Sequence, residues 1–287
     1  MAIRFKKLSY IYDEGMPYAH TALDDIDLDI TEGKITAIIG ETGSGKSTMV
    51  EHLNALLLPS KGELEVLDHT IVAGKKNKGL KLLRKEVGLV FQFSEYQLFE
   101  ETILKDVAFG PKNFGDDDAT AIKKAKEALK LVGINESMYE TSPLDSSGGQ
   151  KRRVAIAGIL AINPSVLVLD EPTAGLDPKG SKEMIDLFIS LNKDYDKTII
   201  IVSHDNEMVY NYADETVLVA GGKIIYHGDT LKLFNDETLI KEHHLLEPQI
   251  VTFKNQLKKQ GFKVSDDIRT LKDLAKAITK EIRKWII

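Results

Sequence analysis

Gly40, Gly45, Lys46 and Ser47 stand at the spacing G-x-x-x-x-G-K-[ST] within AIIGETGSGKST, residues 37–48. Glycines at those positions let a backbone curl until successive N–H groups converge on phosphate oxygens, and a helix N-terminus adds partial positive charge. The candidate cradle is Gly40, Glu41, Thr42, Gly43, Ser44, Gly45, Lys46, Ser47 and Thr48. Lys46 is the group to reach the β- and γ-phosphates of a nucleotide, and Ser47 is the hydroxyl to ligate Mg²⁺. A second chemical pair closes SVLVLDEP: Asp170 ends an apolar run where a carboxylate can hold Mg²⁺, and Glu171 follows, placed to polarise an attacking water. A third site is the turn Ser147, Gly148, Gly149 and Gln150, which opens another helix and makes another anion site. One nucleotide does not need two phosphate-binding turns. Two chains resolve this, each lending its second turn to the other's nucleotide.

Elements must position these groups. Residues 35–39 are apolar and read as a buried strand before the glycine loop, and residues 48–58 read as a helix ended by Pro59. The first 35 residues read as strands, with Leu23, Ile26, Leu28 and Ile30 in imperfect alternation, and GELEVLDHTIV continues that style, which suggests an antiparallel sheet beside the nucleotide. EVGLVFQ, SVLVLD and KTIIIVSH are further strand candidates, and the helix KEMIDLFISLN between the last two fits a parallel sheet with right-handed crossovers. Residues 116–132 carry a helical stripe from Ala121 to Val132 behind three candidate N-caps, Asp116 to Asp118. TVLVAGGKIIYHGD reads as a hairpin turned at Gly221 and Gly222.

Composition bounds the rest. With 287 residues, 43% hydrophobic and 29% charged, the chain is an ordinary globular sequence of one or two domains. A net charge of −6 argues against a nucleic-acid surface, and the absence of cysteine excludes disulfides and thiolate metal sites. The opening MAIRFKKLSY lacks a secretory h-region. No apolar run approaches the roughly 20 residues of a spanning helix, so the chain is expected to sit on a membrane protein rather than cross the bilayer. His243 and His244 read as a solvated pair, not metal ligands.

The whole order of motifs resembles the ATP-binding cassette (ABC) family, whose signature L-S-G-G-Q is matched by Ser147, Gly148, Gly149 and Gln150, with Ser146 where leucine is usual. That resemblance implies an α/β P-loop fold with a RecA-like core, an antiparallel β subdomain, a helical subdomain and a small C-terminal helical extension. It implies ATP and Mg²⁺ as cofactors, Ser47, Gln92 and Asp170 at the metal, and Glu171, His204 and Gln92 in hydrolysis. Gln92 in LVFQF matches the Q-loop, Asp177 in AGLD the interface-crossing D-loop, and His204 the switch histidine. Tyr12 matches the aromatic that stacks on adenine, with Tyr10 as alternative. Residues 1–233 are then the cassette, with a helical insertion at about 93–160, and residues 234–287 an extension that pairs subunits or docks on its own body. Leu271, Leu274, Ala275, Ile278, Ile282 and Trp285 form a stripe there.

More narrowly, VFQFSEYQLFEETILKDVAFGPKNFG, KRRVAIAGILAINPSVLVLDEPTAGLDPKG and the extension are similar to the ATPases of energy-coupling factor importers, in particular the second, A′-type subunit. This implies a peripheral ATPase on the cytoplasmic face of the cell membrane. Its implied partners are a homologous ATPase, a transmembrane T subunit and vitamin-binding S subunits. The alternatives are the ATPase of another ABC transporter, or a DNA-maintenance or ribosome-bound ABC protein. Against the last two stand the lack of an interrupting coiled coil, the single cassette and the absence of a basic footprint.

Overall fold

The computed structural model describes residues 3–285, with side chains to residue 282. Strands β1 (Ile3–Tyr12) and β2 (His20–Ile30) pair antiparallel, Ile3 opposite Ile30 and Phe5 opposite Leu28. The imperfect alternation has a physical cause. Lys7 and Asp25 adopt positive φ, at 45° and 53°, where the register slips, so Leu23 and Ile26 both still point into the core. The bulges are stitched by Ser9 Oγ, which accepts from Asp25 N at 3.0 Å, and by Asp27 Oδ1, which accepts from Lys7 N at 2.9 Å.

Strand β3 (Ile35–Ile39) is buried throughout and leads into helix α1 (Lys46–Leu53). This helix begins two residues earlier than its sequence suggests and stops well before Pro59. Ala55, at φ 55°, takes the left-handed conformation, and the N–H groups of Leu56 and Leu57 both turn back to Glu51 O. Strands β4 (Lys61–Val66) and β5 (His69–Val72) complete an antiparallel sheet of order β2-β1-β4-β5. Helix α2 (Leu80–Glu86) precedes strand β6 (Val87–Val90).

The helical subdomain follows: α3 (Ile103–Asn113), α4 (Asp118–Leu131) and α5 (Gly148–Leu160). Each starts on a side-chain cap. Thr102 accepts from Lys105 N, Asp117 from Thr120 N, and Ser147 from Gln150 N. Of the three candidate aspartates, Asp117 is the cap of α4. Ser147 and Gln150 form a full capping box, so α5 begins at Gly148 rather than at Gln150.

The remainder runs β7 (Val166–Asp170), α6 (Pro178–Tyr195), β8 (Thr198–Val202), α7 (Asn206–Tyr212), β9 (Glu215–Ala220), β10 (Lys223–Asp229), α8 (Thr230–Asn235), α9 (Glu237–Glu242), α10 (Gln249–Lys259) and α11 (Leu271–Trp285). The second sheet has the order β10-β9-β3-β8-β7-β6, parallel except for the β10 edge. β3, β7 and β8 are apolar on both faces because both are covered. Ile35, Ala37 and Ile39 enter a core shared with the helices, while Ile38 enters the core between the sheets. The β9–β10 turn uses Gly221 and Gly222 at φ 54° and 74°. Gly222 N donates to Ser44 O, and Gly222 O accepts from Asp24 N, which ties the turn to the glycine loop and to β2.

The C-terminal residues share the main core: Ile250, Val251, Leu257, Val264 and Leu274 are all buried in it. The stripe on α11 is split. Leu274 is 1% exposed and Ile278 packs against the core, whereas Leu271 and Ile282 are exposed; the Trp285 side chain lies outside the described residues.

Candidate functional site

Parallel strands deliver their C-terminal ends to one edge of the sheet, and every candidate group of the first cradle arises there. The glycine loop follows β3, Asp170 ends β7, Gln92 lies two residues beyond β6 and His204 two beyond β8. They line a cavity of about 360 Å³ with Thr42, Gly43, Gly45, Lys46, Ser47, Thr48, Glu171 and Tyr12. Gly40, Glu41 and Ser44 shape the loop from outside this wall. Gly40 has to be glycine: at φ 143°, a Cβ would sit 2.0 Å from Val219 O. Gly45, at φ 108°, would meet Ala22 O at 2.6 Å.

Lys46 Nζ is buried and donates to Gly40 O and Glu41 O, each at 2.8 Å. Burial lowers its pKa, against the pull of Glu171 and Asp170. Burial raises the Asp170 pKa, against the pull of the Ser47 hydroxyl and then of Lys46. Glu171 is pushed up to about 7 by burial and next by the charge of Asp170. Its backbone is held at φ 48°, with its N–H on Val202 O. Glu171 Oε1 is buried with no hydrogen-bond partner among the described residues, and His204 Nε2 stands 3.4 Å from it. Burial, then Lys46, lowers the His204 pKa.

The oxygen donors fit a small hard cation. Ser47, Asp170 and Gln92 line the same wall. Mg²⁺ is commonly bound through one or two carboxylates together with substrate phosphates and water, so a dedicated all-protein cage is not needed. Among the described residues, no group of three or more His, Cys, Asp or Glu could hold a metal, His243 and His244 included.

Tyr12 reaches the cavity and Tyr10 does not. The Tyr12 hydroxyl lies 3.2 Å from Thr48 Oγ1, while the Tyr10 ring packs edge-on against both Tyr12 and His52. The signature turn Ser147, Gly148, Gly149 and Gln150 is absent from the cavity wall, as is Asp177. Ser147 and Gly148 are exposed, and a Cβ added at Gly148 would meet nothing within 4 Å, whereas Gly149 and Gln150 are half-buried. Asp177 caps α6 by accepting from Gly180 N at 2.6 Å. Ser146, in the position of the usual leucine, keeps a buried Oγ without a partner among the described residues.

Sequence reasoning missed four residues here. His20, Ala22 and Val202 also line the cavity; the only signal for His20 is its register opposite Tyr12. Arg152 on α5 is 3% exposed, pairs with Glu95 through two nitrogens at 3.2 Å, and donates to Gln92 O at 2.7 Å and to Ala174 O. It joins the signature helix to the segments that follow β6 and β7.

Known proteins share this arrangement. The ABC transporter family profile matches residues 23–174, more than half of the chain. The energy-coupling factor transporter ATP-binding protein EcfA2 of Lactiplantibacillus plantarum is 48% identical over 282 residues, 98% of this chain and 96% of the relative. The protein of the same name from Ligilactobacillus salivarius is 52% identical over 257 residues, 90% of this chain and 89% of the relative. Among solved structures, CbiO1 of Clostridium perfringens, part of the ABC transporter complex cbiONQ, aligns with a TM-score of 0.72 at 36% identity, covering 88% of this chain and 98% of that one. A dimeric ATP-binding cassette in a post-hydrolysis state with ADP and Pi aligns at 0.71 and 29% identity, over 79% of this chain and 98% of that one. With its phosphate cradle, acidic strand end and near full-length relatives, the chain belongs to the ABC transporter family as an ATPase of the energy-coupling factor type.

Proposed function

We propose that this ATPase works as one half of a pair. It binds Mg·ATP in its own cavity and completes the site with the signature turn of a homologous chain. Residues 1–233 form the cassette in this reading, and 234–287 an extension available for subunit pairing. The pair sits on the cytoplasmic face of the membrane and drives a transmembrane T subunit, whose S subunits select a vitamin. The relatives named for energy-coupling factor transporters support the coupling; among the described residues, no helix is long and apolar enough to cross a membrane.

One observation carries the reading of a shared site. The wall that holds Lys46, Asp170, Glu171 and His204 lacks Ser147 to Gln150, whose first two residues are exposed elsewhere on the same chain. In the loaded site, Lys46 turns from the carbonyls of Gly40 and Glu41 to the β- and γ-phosphate oxygens. Tyr12 stacks on the adenine. Ser47 and Asp170, with Gln92 nearby, would hold Mg²⁺, which would supply positive charge against the phosphates. Glu171 takes the proton of the attacking water at Oε1, which is buried and has no hydrogen-bond partner among the described residues. His204 Nε2 orients the γ-phosphate and that water beside Oε1 of Glu171. ATP binding closes the pair, and loss of the γ-phosphate reopens it.

The test is the ATPase rate of the isolated monomer against that of the assembled complex. Losing oxyanion donors of this kind costs about 10²–10³ in rate each. The lone chain should therefore bind ATP yet turn it over at least about a hundredfold more slowly. Equal rates in a verified monomer would remove the shared site.

A further inference from the structure

Lys254 on α10 has no solvent exposure at all. Its Nζ donates to Tyr210 Oη at 2.7 Å, to Asp266 O at 2.7 Å and to Ile268 O at 3.2 Å. All three ammonium protons are thus placed. The Tyr210 hydroxyl passes its own proton on to Ile268 O at 3.2 Å. A buried ammonium costs desolvation that a methionine or leucine of similar size does not. Burial lowers the lysine accordingly and drives Tyr210 up to about 12. What the lysine gains over an apolar residue is direction: it ties α10, the segment 266–268 and the last turn of α7 at one point.

α7 is the element that begins two residues after His204. It has seven residues, too few to fix itself by local propensity. The segments beyond residue 245 grip it at both ends. Asn206 Nδ2 donates to Leu246 O at 2.8 Å, and Glu207 Oε1 accepts from Gln249 N at 2.6 Å. At the far end, Arg269 Nη1 donates to Ala213 O at 2.9 Å. The His204 side chain is itself half exposed, with Glu171 Oε1 3.4 Å away. Its position beside Glu171 is therefore dictated by its backbone, and that backbone enters α7.

We propose that Lys254 is a positioning residue for ATP hydrolysis: through Tyr210 it fixes α7, and α7 fixes where His204 stands beside Glu171. The inference rests on the roles assigned above to His204 and Glu171. It makes the region beyond residue 245 part of the hydrolytic apparatus, although none of it lines the nucleotide cavity.

The experiment is a double-mutant cycle on the assembled transporter complex, read by single-turnover ATP hydrolysis and by the kcat and KM for ATP. Lys254→Met and Tyr210→Phe are each made alone and in a His204→Ala background. Alone, each should lower kcat about five- to tenfold with KM within about twofold; in the His204→Ala background the further loss should stay below about twofold. Equal losses in both backgrounds would reduce the lysine to general support of the fold and overturn the proposal, as would an unchanged kcat. Tyr210→Phe keeps the ring and removes one oxygen, so it carries the test if Lys254→Met does not assemble. Wild-type turnover in His204→Ala alone would instead remove the switch role of His204, a failure of the site reading distinct from the other two.

Discussion

The Tyr12 hydroxyl rests 3.2 Å from Thr48 Oγ1, so the first strand of the chain is tied to the helix that starts in the phosphate cradle. In the proposed reading, the adenine platform and the phosphate site are thereby held at a set separation. Tyr12→Ala should weaken ATP binding about tenfold, the scale of one base stacked on an aromatic ring, and Tyr12→Phe only about twofold. Tyr10→Ala should lower thermal stability and leave affinity nearly intact, since its ring lies against His52. Calorimetric titration with ATP decides; a larger affinity loss from Tyr10→Ala exchanges the two roles.

Glu171→Gln retains the shape of the site and removes the carboxylate proposed as the base. ATP binding should persist, turnover should fall by about 10²–10⁴, and ATP should trap the closed pair, seen as a larger species on size exclusion. A variant that hydrolyses at the normal rate would strip Glu171 of its role.

Gly40→Ala places a methyl 2.0 Å from Val219 O, against backbone rather than a movable side chain. Either the loop or β9 must shift. We expect a loss of stability of about 2–4 kcal/mol together with loss of ATP binding. Urea unfolding and nucleotide titration of the same preparation measure both; undiminished ATP affinity would contradict the geometry.

His52 is fully buried, gives its Nδ1 proton to Thr48 O at 2.6 Å, and leaves Nε2 without a partner among the described residues. Burial pushes its pKa down to about 4. The unfolded chain binds a proton near pH 6.5, the folded chain only near 4. Stability from this group is thus constant above about 6.5 and is lost as pH falls from there to about 4, by about 2 kcal/mol at pH 5. His52→Gln should flatten that portion of the stability–pH curve between pH 7 and 5. An unchanged slope would mean that His52 protonates as easily folded as unfolded.

Arg152 and Glu95 form an ion pair with side chains 4% and 19% exposed. Arg152→Met strands the carboxylate and unsatisfies Gln92 O and Ala174 O, which should cost about 3–5 kcal/mol. Arg152→Met with Glu95→Gln should recover part of that loss, because the stranded charge is gone. Denaturant unfolding of the single and double variants checks the order.

The sequence makes the nucleotide edge legible because its rules are local. An apolar run followed by glycines or by a carboxylate marks a strand end, and parallel pairing gathers such ends without further instruction. What escaped depends on contacts far along the chain. Ala55 ends α1 with no glycine to announce it, and only the fold directs Leu56 and Leu57 back to Glu51. α2 is a short helix with Leu83 its one buried residue, too little for a periodic signal. Arg152 sits in a run of cations, and nothing local says that it turns inward while Lys151 does not. Lys254 reads as the solvated face of a helix until the carbonyls at 266 and 268 arrive around it. The α11 stripe is periodic, yet periodicity cannot say that Leu274 is covered and Leu271 bare.

β3 holds the glycine loop, and its partners come late: Ile35 pairs with Ile199 on β8, and Thr36 with Glu215 on β9. A ribosome adding about 5–20 residues per second needs roughly ten to thirty seconds to travel from residue 35 to residue 199. Throughout that interval an apolar strand waits unpaired, with the exposure that makes nascent chains prone to aggregate. Contacts this distant in sequence also slow folding after release. A chain stalled before residue 199 carries a complete phosphate-binding motif and lacks both of the strands between which β3 mounts it.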